Sequence, residues 1–63
     1  MIRIERSIII KRLIQEQQKE NPSDKVFLTI DKILNKLHSQ ENKTKRIIGY
    51  IDISNKDYFT LFQ

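Results

Sequence analysis

The stretch Asp24-Lys25-Val26-Phe27-Leu28-Thr29-Ile30-Asp31-Lys32-Ile33-Leu34-Asn35-Lys36-Leu37 decides the fold. Val26, Phe27, Ile30, Ile33, Leu34 and Leu37 recur three and four apart. A helix therefore gathers them on one side and leaves Lys25, Lys32, Asn35 and Lys36 on the other. Upstream, Pro22 stops any earlier helix, and Ser23 or Asp24 supplies an oxygen for the free amides of a new N-terminus. Leu28 points away from the stripe, as a scattered exposed leucine or as part of a second contact surface.

A second period competes over the same residues. Val26, Leu28 and Ile30 alternate with Lys25, Phe27 and Thr29, which is the pattern of a strand. On that reading Asp31 caps a shorter helix from Lys32 to Gln40, and a turn leads to another helix from Thr44 to Ile53. This order resembles the ribbon-helix-helix repressors. The resemblance implies a dimer whose paired strands enter the major groove, with Lys25, Phe27 and Thr29 as the outward strand residues. Six apolar positions fit the helical period and only three fit the alternation, so the long helix is the expectation.

Outward from this stretch, Ile2 and Ile4 alternate with Arg3 and Glu5 as a short strand does. Ser7 is placed to cap a helix running to about Glu20, with Ile9, Ile10, Leu13 and Ile14 as its apolar face and Gln17 continuing it. Ile8 falls off that face, and the polar tail from Gln15 to Glu20 overhangs the core. The two helices, joined through Asn21-Pro22-Ser23, make an antiparallel hairpin. Residues 38–45 read as a polar loop, with His38 half covering the edge of the core. Arg46 to Ser54 is the best strand pattern, and Gly49 inside it marks a bulge, a close backbone approach or a weak point. Ser54-Asn55-Lys56-Asp57 reads either as a turn into a last strand or as the capping box of a short helix. The strand formers Tyr58, Phe59, Thr60 and Phe62 favour the hairpin. The expected architecture is a single α+β domain over residues 1–63, a two-helix hairpin on a small antiparallel sheet. A mostly helical chain and the ribbon-helix-helix dimer are the alternatives.

Length and composition bound what such a domain does. Sixty-three residues give a marginal core, and small domains usually need a staple. The absence of Cys removes disulfides and thiolate metal sites, and one histidine does not build a zinc site. Self-association is the staple that is left, so a homo-oligomer is expected. No secretory signal or bilayer-spanning run is visible, which gives a cytoplasmic expectation with no membrane partner. The excess of Ile, and of Lys over Arg, is the bias of an AT-rich genome such as that of a low-GC bacterium or its phage.

No catalytic constellation is present. One glycine cannot form a phosphate loop, no serine has a recognisable histidine partner, and Asp52 with Asp57 falls short of a calcium site. The sequence points to a non-catalytic regulatory or accessory protein, without cofactor or small-molecule substrate. Such a chain grips another protein as an inhibitor, adaptor or subunit, and Ile8, Leu28, Tyr50 and Tyr58 are its candidate contact residues. The net charge of +4 supports an alternative. Lys43, Lys45 and Arg46 form a cluster with Tyr50 nearby, and Arg3 and Arg6 add charge at the start. These five cations are the candidate phosphate contacts of a DNA- or RNA-binding protein, for instance a small transcriptional regulator.

Overall fold

The computed structural model describes all 63 residues. The elements run β1 (Ile2–Glu5), α1 (Arg6–Gln17), α2 (Asp24–Thr44), β2 (Tyr50–Ile53) and α3 (Asn55–Phe62). This is an α+β fold in which the α1–α2 hairpin packs against a two-stranded antiparallel sheet. The strands pair Ile2 with Ile53, Arg3 with Asp52, Ile4 with Ile51 and Glu5 with Tyr50. Ile4, Ile51 and Ile53 line the sheet's inner face. They join Ile9, Val26, Ile30, Ile33, Leu37 and Leu61 in one core.

The continuous α2 overturns the strand reading of residues 25–30, and with it the ribbon-helix-helix alternative. Val26, Ile30, Ile33 and Leu37 are buried on one line, whereas Phe27 and Leu34, also assigned to the stripe, are half-buried on its flank. Leu28 is 68% exposed on the opposite side. Residues 38–44 are helix and not loop. Nothing in them breaks a helix, and Glu41 extends the Leu37 line by one turn to a buried anchoring role. His38 is consequently a solvent-exposed helical residue. The helix ends where Lys45 adopts the left-handed conformation, φ 57°.

Helix α1 starts at Arg6, so Ser7 lies inside it and caps nothing; its hydroxyl faces Glu5 at 3.4 Å. Ile9 is buried and Leu13 packs on the core, but Ile10 and Ile14 are exposed, as is Gln17. The inner arc of this short helix belongs instead to Ile9, Leu13 and Glu16. Ser23 occupies the N-cap position of α2 without a side-chain capping bond.

The second strand is shorter than its sequence pattern, because the backbone before it is committed elsewhere. The Ile48 N–H donates to Glu41, and Gly49, φ 78°, turns the chain into Tyr50. A Cβ on Gly49 would meet nothing within 4 Å, so its role is conformational and no close approach explains it. After Ile53 the chain forms a helix and not the expected last strand. Ser54 Oγ accepts the Asp57 N–H at 3.1 Å, while the Asp57 carboxylate turns to Lys32 at 3.0 Å, so only half of a capping box forms. The tail is packed, with Leu61 as its buried residue and Tyr58 half-buried beside it.

Candidate partner-binding surface

Two carboxylates organise the frame on which the surface residues sit. Glu16, 1% exposed, accepts the Ser23 N–H at 2.7 Å and so closes the turn between α1 and α2. Arg12 and Lys19 stand 2.8 and 3.1 Å from its other oxygen. Glu41 does the same at the far end of the hairpin, accepting the Ile48 N–H at 2.8 Å and pairing with Arg6. Each carboxylate thus reaches seven residues forward to a backbone amide and takes an arginine from α1. The Ser23 amide, ahead of the two cations, holds the Glu16 carboxyl at about 2, against its burial. The Ile48 amide and then Arg6 lower Glu41 in the same direction. Sequence reading treated both acids as scattered solubilising charges. The Arg12–Glu16 spacing of four was the one available signal, and the amide partners are visible only in three dimensions.

Because Glu16 and Leu13 take the inner arc of α1, Ile10 and Ile14 are left on its outer side, 38% and 48% exposed. With Arg6, Ser7, Lys11 and Gly49 they line an open groove of about 600 Å³ at the base of the hairpin. The groove wall is apolar apart from its rim, where Lys11 supplies a cation that no acid of the chain pairs. A second apolar edge lies on α3. Phe59 is 60% exposed there, and both Phe59 and Phe62 stack against the Tyr58 ring, with centroids 6.3 and 5.0 Å away.

The four contact residues named from sequence do not form one patch. Leu28 stands alone on the back of α2, and Ile8 lies on α1 without lining the groove. Tyr50 is on the outer face of the sheet under the Arg3 guanidinium, 4.6 Å from the ring centroid, and Tyr58 leans into the core. Ile10 and Ile14, which line the groove, were assigned to the core from their spacing.

The five cations divide in the same way. Arg3 pairs with Asp52 at 3.3 Å and Arg6 with Glu41. Lys43, Lys45 and Arg46 are exposed at the end of α2, beside Ile47, which is 88% exposed. Tyr50 is not part of that cluster; it borders a separate cavity with Lys36, Gln40 and Ile48. Asp52 and Asp57 are held by Arg3 and Lys32, and no group of three or more His, Asp and Glu side chains gathers to hold a metal. No helix is long and apolar enough to cross a membrane.

Comparison with known proteins found no matching family model, no matching curated protein and no matching solved structure.

Proposed function

We propose that this chain is a small non-catalytic accessory protein of the cytoplasm that docks on a protein partner through the α1 groove. The carrying observation is the apolar trough between Ile10 and Ile14, which the fold leaves open although the chain has few apolar side chains to spare. Exposed apolar side chains around a concave wall, with a charged rim, are the anatomy of a protein contact. The unpaired Lys11 and the net charge of +4 favour a partner segment that brings one or two apolar anchors and a carboxylate. Inhibitor, adaptor and regulatory subunit are the roles that such a surface serves.

The exposed, unpaired triad of Lys43, Lys45 and Arg46 supports direct binding to nucleic acid as the second reading. The two separate in a capture experiment on lysate, with and without nuclease. It compares the wild type, an Ile10→Asp/Ile14→Asp variant and a Lys43, Lys45, Arg46 triple Ala variant. Protein docking expects the same partner on the wild type and the triple variant, insensitive to nuclease, and none on the groove variant. Loss of every partner on nuclease treatment would overturn protein docking in favour of nucleic acid.

A further inference from the structure

Each strand of the hairpin leaves one long edge without a partner, and the register fixes what the β1 edge presents. The Arg6 N–H donates to the Gly49 carbonyl at 2.8 Å. Hydrogen-bonded pairs alternate along an antiparallel ladder, so Ile4/Ile51 and Ile2/Ile53 are bonded pairs while Arg3/Asp52 and Glu5/Tyr50 are not. In the non-bonded pairs the amide and carbonyl point away from the neighbouring strand. Arg3 and Glu5 therefore turn their N–H and C=O groups out along the free edge of β1. Their side chains share the solvent face, because Ile4 takes the core face.

We infer that this edge pairs with the same edge of a second copy, β1 antiparallel to β1′ about a two-fold axis, giving a four-stranded sheet in the order β2-β1-β1′-β2′. A two-fold axis allows the outward groups to meet as Arg3 on Arg3′, as Glu5 on Glu5′, or as Arg3 on Glu5′. The first two set like charges directly opposite each other, which destabilises a ladder. The third sets Arg3 opposite Glu5′ and Glu5 opposite Arg3′, with Ile4 facing Ile4′ on the core side. All the outward backbone groups of both residues are then used, in the isologous arrangement that a two-fold dimer requires.

The register also completes the charge pattern of the outer face. In one chain the Glu5 carboxylate accepts only from the Ser7 hydroxyl at 3.4 Å, and it faces Tyr50 across the ladder. Arg3 already lies against Asp52. Across the four strands one row reads Asp52, Arg3, Glu5′, Tyr50′, an alternation of charge that the two-stranded sheet leaves half built. This pairing is independent of the α1 groove reading, since it uses the strand backbone and neither Ile10 nor Ile14.

The test is sedimentation of the full chain from about 10 µM to about 1 mM, the range suited to a small interface, together with amide exchange. The wild type is expected to pass from monomer to dimer. The Arg3 and Glu5 amides should become protected with concentration, while those of Ile2 and Ile4 stay as they are. Arg3→Glu and Glu5→Arg, each made singly, set like charges opposite one another and should weaken self-association about tenfold or more. An equimolar mixture of the two variants restores both opposite-charge pairs and should dimerise. A wild type that stays monomeric throughout, or a dimer in which the Arg3 and Glu5 amides exchange freely, overturns the inference. So does failure of the mixture to associate while circular dichroism shows both variants folded. If Arg3→Glu does not fold, the wild-type exchange pattern decides alone.

Discussion

Leu34 and Leu37 offer the same chemical change in two settings, three residues apart on α2. Leu37 has no exposed surface and lies in the core, whereas Leu34 is half-buried on the flank. Truncation of a fully buried leucine to alanine costs about 3 to 5 kcal/mol, from lost transfer free energy plus the cavity left behind. At Leu34 roughly half of the transfer free energy is at stake and water can fill the gap, so Leu34→Ala should cost about 1 kcal/mol. A 63-residue chain has a total stability of only about 3 to 9 kcal/mol. Leu37→Ala therefore removes much or all of the folded population, and the milder Ile33→Val, about 1 kcal/mol, gives a point on the same scale that stays folded. Urea denaturation followed by circular dichroism measures all three. With a slope of about 1 kcal/mol per molar urea, Leu34→Ala should lower the midpoint by about 1 M, and Leu37→Ala should lower it by about 3 M or abolish the transition. Equal costs at Leu34 and Leu37 would refute the burial pattern along α2 and restore the six-residue stripe of equal positions.

The carboxylate bonds make stability acid-sensitive. Glu16 and Glu41 have folded pKa values below the ordinary 4.5, so their contribution is complete above that value and disappears as the pH falls towards about 2. Glu16→Gln should melt lower than the wild type at pH 7 and converge with it near the acid end, as thermal scans across pH would show. Lys45 holds a left-handed conformation without being glycine, so Lys45→Gly should raise stability by roughly 1 kcal/mol, while Gly49→Ala should cost about 1 to 2 kcal/mol through φ alone. If the Lys43, Lys45, Arg46 cluster contacts phosphates, each neutralising substitution should flatten the salt dependence of nucleic-acid binding by about one unit of slope. Titration at two salt concentrations reads this directly. An unchanged slope leaves the cluster as solvated surface.

Periodicity carried the fold class because a helix of 21 residues repeats its signal often enough to outweigh a three-residue alternation. It failed at the edges, where one contact decides. Residues 38–44 look like loop when only apolar residues are counted, yet Glu41 is as much an inward position as Leu37. The tail from Tyr58 to Phe62 has strand-forming residues, but no strand stands ready to pair with it, and a helix capped by Ser54 satisfies its own backbone. For the candidate surface the same limit applies in reverse. Ile10 and Ile14 lie at helical spacing with Ile9 and Leu13, and nothing local reveals that Glu16 takes the inner arc and leaves them outside.

The pairing of Ile2 with Ile53 joins positions near the two ends of the chain, whereas the α1–α2 turn is closed by partners only seven apart. Contacts of long sequence separation form late in folding, because their loops must close before any contact rewards them. The helical hairpin can therefore assemble from local contacts, with the strand pair docking last. Opening runs in the opposite order: β1 comes away first, exposing Ile4 and the underside of β2 while α1 and α2 stay paired. In stopped-flow measurements Ile4→Val should accordingly speed unfolding and leave the folding rate nearly unchanged.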